Sequence, residues 1–164
     1  MVRRVNLSHA RTEFQRDVMK RIMRDGVCPF CEENFLKYHT KPIIKKAKYW
    51  TLTENFEPYP GAKHHLLAVS RIHVTDFSKL SSEARAEMFA LFAAECKRRK
   101  IVGGTVFMRF GDTDYTGGTV EHLHAQLVSG ATRDDGGEPI VTRIGYAPVK
   151  PIAPSPKRSR RPRP

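Results

Sequence analysis

The chain has 164 residues, 40% hydrophobic and 28% charged, an ordinary globular mix long enough for one domain with a real core. No apolar run approaches the roughly 20 residues of a transmembrane helix, and the basic start "MVRRVNLSHARTEF" has no apolar segment after it, so neither a membrane span nor a secretory leader is expected. The net charge is +12; residues 150–164 carry six Lys and Arg and no acid, which leaves +6 on residues 1–149. Such a balance attracts nucleotides, polyphosphates, RNA, DNA or anionic membrane. Three cysteines, an odd number, do not make a secreted disulfide framework; a reducing, cytoplasmic compartment is the simpler expectation.

Residues 12–24 are predicted as an amphipathic helix. Thr12 and Gln15 fit a capping box, Phe14, Val18 and Ile22 with Met19 and Met23 make the apolar stripe, and Gly26 stops it. "CPFC" at 28–31 then forms a tight turn between helix and sheet. "EENFLKYHTKP" has weak periodicity. "KYWTLTE" (48–54) alternates like a strand, "NFEPYPGAK" is a Pro- and Gly-rich connection, and "HHLLAVSRIH" (64–73) is a second strand. Residues 81–100 give the clearest helix. Ser81 or Ser82 caps it, Ala84, Met88, Leu91 and Phe92 form its core face, and four basic residues suit its C-terminal end. Cys96 on this helix is expected to be a small core residue. "GTVFMRFGD" and "TVEHLHAQLVS" are the third and fourth strands, and "PIVTRIGY" a short last one. Strands and helices are segregated, which predicts an α+β fold with an antiparallel sheet. Three regions follow: a basic helical segment 1–26, a domain 27–146, and a disordered Pro/Arg-rich tail 147–164.

The chemistry concentrates in "EHLHAQLVSG". On a strand, alternate side chains share a face, so His122, His124 and Gln126 point one way while Leu123, Ala125 and Leu127 enter the core. Imidazoles two apart suit two adjacent tasks, one on a metal and one on a substrate. Gly117, Gly118 and Thr119 precede the row, and glycines let backbone N–H groups approach a phosphate closely.

These segments resemble the histidine-triad (HIT) superfamily. "GGTVEHLHAQLV" is similar to its His-x-His-x-His signature, "HHLLAVSRIH" to its apolar strand ending at a histidine, "CPFC" to the cysteine pair of zinc-binding members, and "NFEPY" to the Asn-x-x-Pro-Tyr of dinucleoside polyphosphate phosphorylases. The resemblance covers about residues 27–130. It implies a HIT-like fold: a sheet of about five antiparallel strands with a helix packed on it. It also implies a homodimer and a nucleotide substrate. Gln126 departs from the triad and is typical of the branch holding galactose-1-phosphate uridylyltransferase and dinucleoside tetraphosphate phosphorylase. Gly111 stands near where many hydrolase members have asparagine.

The resemblance implies that His124 is the nucleophile on the α-phosphorus and forms a nucleotidyl-histidine. Its other ring nitrogen must then donate to a backbone carbonyl. Gln126 can donate to a phosphoryl oxygen but cannot act as a general acid. Gly117, Gly118, Thr119 and Val120 are implied for the phosphate and Asn55 for a ribose hydroxyl. Phe30 is either a wall for the base or a core residue. The Cys-x-x-C is a zinc knuckle, a redox pair or a coincidence. A redox pair should open a helix, and none is predicted after it, which favours Zn2+. By resemblance, Cys28 and Cys31 would be joined by His73 and His122; on spacing alone, His64 or His65 can replace His73. Two other functions compete: a deadenylase acting on nucleic-acid ends, and a nucleotide- or RNA-binding module without turnover, each using the basic tail.

Overall fold

The computed structural model describes residues 4–147. The tail expected to be disordered lies outside them from residue 148 onward. The elements run α1 (Glu13–Asp25), α2 (Glu32–Tyr38), β1 (Ile43–Lys46), β2 (Trp50–Glu54), β3 (His64–Ser70), α3 (Ser82–Arg99), β4 (Thr105–Arg109) and β5 (His124–Ser129). All strand pairs are antiparallel, in the order β1-β2-β3-β5-β4. This is the expected α+β fold with five strands and a helix packed on them.

Each predicted helix begins and ends for a local reason. Thr12 Oγ1 accepts from the Gln15 N–H at 3.1 Å, Gln15 Oε1 accepts from the Arg11 N–H at 2.8 Å, and Gly26 closes α1 at φ 68°. Ser81, rather than Ser82, caps α3, its Oγ accepting from the Ala84 N–H at 3.1 Å. The four core residues expected on α3 are all buried, while Cys96 is only partly so. On α1 the stripe is narrower than predicted. Met19 and Ile22 are buried, but Phe14 and Met23 lie more than half exposed because no element covers that side.

Side chains alternate between two covered faces along β3 and β5, and nearly all are buried. Leu66, Ala68, Leu123, Ala125 and Leu127 face α3 and pack with Trp50, Leu52, Met88, Leu91 and Phe92. Trp50 donates its indole N–H to the Ala84 carbonyl at 2.7 Å, and the Glu87 carboxylate accepts from the N–H groups of Lys48, Tyr49 and Trp50. Both contacts pin the β1–β2 turn to the helix. The opposite face holds Phe35, Leu67 and Val69, with Phe30 and Ile43 against them.

Three expectations are corrected. The fifth strand is β1, not "PIVTRIGY"; residues 140–147 form no strand and make only an isolated bridge, Thr116 to Gly145, and Val141 and Ile144 stay exposed. Cys31 caps a helix: α2 starts at the next residue, so "CPFC" joins two helices rather than a helix and the sheet. And β5 begins only at His124. Backbone bonds at residues 121–123 go elsewhere: the Glu121 N–H to Arg4, and the Leu123 N–H to Val74.

Candidate active site and metal centre

The row His122, His124, Gln126 divides between two sites. His122 joins Cys28, Cys31 and His73 in a cluster whose four donor atoms lie within 4.8 Å of one another. Its Nε2–H donates to the Ser70 carbonyl at 2.7 Å, so Nδ1 is the bare nitrogen, and it stands 3.4 Å from Cys28 Sγ and 3.9 Å from Cys31 Sγ. His73 Nδ1 lies 3.5 Å from Cys31 Sγ. Two sulfurs and two imidazole nitrogens are the donor set of a closed tetrahedral site. Burial and the neighbouring Cys28 push the Cys31 thiol upward. A helix does follow the pair, contrary to expectation, so it is the convergence of four donors that favours a metal here. Arg4 donates to His73 Nε2 at 2.6 Å. A neutral imidazole cannot accept there and also offer a lone pair at Nδ1, so this contact and a metal bond exclude each other. His64 is not in the cluster, and His65 has a different task.

His124 and Gln126 open instead on a cavity of about 500 Å³. Asn55, Phe30 and the loop Gly117, Gly118, Thr119 and Val120 line it as well, so every residue expected to touch a nucleotide borders one space. His124 is buried, and its Nδ1–H donates to the His122 carbonyl at 2.7 Å, as the nucleophile role requires. Burial pushes its pKa down to about 4, so the ring is neutral and Nε2 carries the lone pair. The Phe30 ring stands edge-on to it, centroids 5.1 Å apart.

The glycine loop is held by other chain segments. Gly118 donates its N–H to Thr116 Oγ1 at 3.1 Å, and its carbonyl accepts from His9 Nδ1 at 2.6 Å. Thr119 accepts from the Asn6 N–H, and Val5 bridges Val120. A Cβ on Gly117 would lie 2.5 Å from the Arg143 Cβ, so here glycine admits residues 140–147 across the loop.

Among the residues that sequence reasoning gave no part in the cavity, His65, Arg11, Arg109 and His9 border it or its polar face. The Tyr59 N–H donates to His65 Nδ1 at 3.2 Å, which places the ring proton on Nε2; that N–H donates to Gln126 Oε1 at 2.8 Å. The oxygen of the Gln126 amide is thus taken, and its NH2 is the group left to act. Burial pushes His65 down to about 4, which keeps this single proton where it is. Arg11 stacks over the Tyr59 ring at 4.5 Å, and Arg109 reaches the Tyr59 hydroxyl at 3.3 Å and the Arg143 carbonyl. His9 completes the set on the Gly118 side. Only the doubled histidine in "KHHLL" signalled any of them. The arginines belong to segments whose meeting depends on the β5–β4 pairing and the N-terminal strap.

A five-stranded antiparallel sheet of this order with a helix packed on it has the HIT-like fold, as a solved structure indicates. A HIT family hydrolase from Legionella pneumophila Philadelphia 1 superposes with a TM-score of 0.50 at 17% identity, over 62% of this chain and 94% of that one. A Zn-bound histidine triad family protein from Mycobacterium smegmatis gives 0.48 at 17% identity, over 68% and 78%. A histidine triad protein from Clostridium difficile gives 0.47 at 16% identity, over 59% and 85%. No family model and no curated protein matches the sequence. Among the described residues no helix is long and apolar enough to cross a membrane.

Proposed function

We propose that the protein is a HIT-type nucleotidyl transferase or hydrolase acting at the α-phosphate of nucleoside polyphosphates or related nucleotide phosphoanhydrides. The observation that carries this is the His124 tautomer: with Nδ1–H given to the His122 carbonyl, Nε2 is a neutral nucleophile at a cavity shared with Gln126 and the glycine loop. Nε2 attacks the α-phosphorus, an N–P bond forms, and the P–O bond to the departing phosphate breaks, its electron pair leaving with that phosphate. An acceptor oxygen then attacks the same phosphorus. The N–P bond breaks, its pair returns to Nε2, and the acceptor's proton passes to solvent. The Gln126 NH2, turned outward by His65, donates to the phosphoryl oxygen as charge builds on it. An amide cannot protonate a leaving group, so groups that depart as stable anions suit the site.

Cys28, Cys31, His73 and His122 fit Zn2+ and would hold it once Arg4 releases His73 Nε2. Its contribution is structural: it ties the turn between α1 and α2 to the segment leading into β5. A homodimer joined along β4, which pairs only with β5 among the described residues, is part of the same proposal.

Mixing the protein with a radiolabelled dinucleoside polyphosphate and quenching in denaturant tests the covalent step. An acid-labile nucleotidyl adduct is expected, and His124→Ala should lose it and lower turnover at least a thousandfold or so. Turnover preserved in His124→Ala overturns the mechanism. A substrate panel with water, inorganic phosphate and sugar phosphates as acceptors separates hydrolysis from transfer.

A further inference from the structure

The cavity has a second polar group, which the proposed chemistry does not use. His39 follows the last turn of α2, its backbone N–H donating to the Phe35 carbonyl at 2.9 Å. The ring lies nearly flat on Phe35, centroids 4.7 Å apart, and stands edge-on to Phe56 at 6.2 Å. It is 5% exposed and lines the same space as His124 and Gln126.

Its tautomer is fixed by a neighbour. Thr53 Oγ1 lies 2.7 Å from His39 Nε2 and 2.9 Å from the Pro42 carbonyl. A carbonyl can only accept, so the hydroxyl hydrogen goes to Pro42, and the Thr53 oxygen accepts from Nε2–H. Nδ1 is then a bare acceptor. It is also the one buried side-chain nitrogen or oxygen among the described residues without a hydrogen-bond partner. Buried polar groups are rarely left so, and an unpaired one is costly. Burial, reinforced by Lys41, holds the ring near pKa 4, so this lone pair stays open at neutral pH.

The surroundings suit a flat heteroaromatic ring. Phe30, Phe56 and Leu67 border the space beside His39. In the sheet register Thr53, Leu67 and Gln126 form one row across β2, β3 and β5. Thr53 therefore stands two strand spacings, about 10 Å, from the Gln126 position. A nucleotide with its α-phosphate at His124 and Gln126 would place its base towards His39.

We infer that His39 Nδ1 accepts a hydrogen bond from the edge of the nucleobase and selects a base that presents an exocyclic amine there. This rests on the proposed nucleotide chemistry. A base with a carbonyl at that edge sets lone pair against lone pair and is disfavoured; one with hydrogen there leaves the acceptor unpaired.

The test is calorimetric binding of non-reacting nucleoside 5′-monophosphates to the full chain. Adenosine 5′-monophosphate should bind about tenfold more tightly than the purine riboside and inosine analogues. His39→Gln carries an amide at the Nε2 position and nothing at Nδ1, and should bring that ratio to about one. His39→Asn places its amide oxygen near the Nδ1 position and should keep the preference. Equal binding of the amino and des-amino ligands by the unaltered protein overturns the inference while leaving the proposed function standing. So does an equal loss for every ligand in both variants, which marks His39 as wall only. Absence of binding by all the nucleotides overturns both.

Discussion

The two faces of the sheet are built from the same three central strands and solve opposite problems. On the α3 face, Leu66, Ala68, Leu123, Ala125 and Leu127 are closed over by Trp50, Met88, Leu91 and Phe92, and the polar atoms present satisfy each other locally. On the other face the alternate positions of these strands hold Thr53, His65, His124 and Gln126, all buried. There, apolar contact decides little. What matters is a set of directed hydrogen bonds, each fixed by a group whose role cannot be reversed: the Tyr59 N–H donates to His65, His65 donates to Gln126, and the His122 carbonyl accepts from His124. One face needs only the right volume and hydropathy; the other needs each proton on a particular atom.

If that contrast holds, changes on the first face should move stability and changes on the second should move chemistry. Trp50→Ala is expected to cost about 3–5 kcal/mol in urea unfolding, since a fully buried ring leaves a cavity and the Ala84 carbonyl loses its donor. The His124 adduct should still form in the folded fraction. Failure to form it would show that the faces are coupled.

The metal cluster tests the other side. Metal-stripped protein should gain roughly 4 kcal/mol of stability in Zn2+ at about a thousand times its dissociation constant. Purified protein should contain one zinc per chain by atomic emission, and Cys28→Ser should lose both the ion and the gain. Unchanged zinc content in Cys28→Ser would move the metal elsewhere.

The smallest effect is expected at His65. His65→Leu removes the donor to Gln126 Oε1, lets the amide turn, and should lower kcat about tenfold to a hundredfold with little change in KM. His65→Gln, whose amide can still donate, should recover part of it. A purely structural role would lower stability in both variants alike and leave kcat per folded molecule unchanged.

The sequence made the first face easy to see. Alternation along "HLHAQL", the apolar run in "HHLLAVS" and the spacing of Ala84, Met88, Leu91 and Phe92 carry it without help from distant residues. The parts that escaped depend on distant partners. β1 reads "IIKK", an edge strand with its two lysines exposed and a register irregularity between Ile43 and Lys45. α2 has only seven residues and buries just Phe35 and Tyr38, too little to give a helical period. "PIVTRIGY" is rich in β-branched residues but meets no second strand among the described residues, and such composition without a partner is not a strand. In the candidate site, His122, His124, Gln126, Cys28 and Cys31 announce themselves by spacing. His65 and His39 do not, because their roles come from Tyr59, Thr53 and Pro42 across turns and neighbouring strands.

The strand order β1-β2-β3-β5-β4 has a consequence for how the molecule is made. Among the described residues β4 touches the rest of the sheet only through β5, which is the last of their strands. As the polypeptide emerges in sequence, β1, β2 and β3 can pair, while β4 must wait unpaired until residues 124–129 have been synthesised and slotted between it and β3. The segment that bears His124 and Gln126 is therefore the keystone of assembly. A nascent chain that stops short of it has neither a complete sheet nor the side chains of the proposed site.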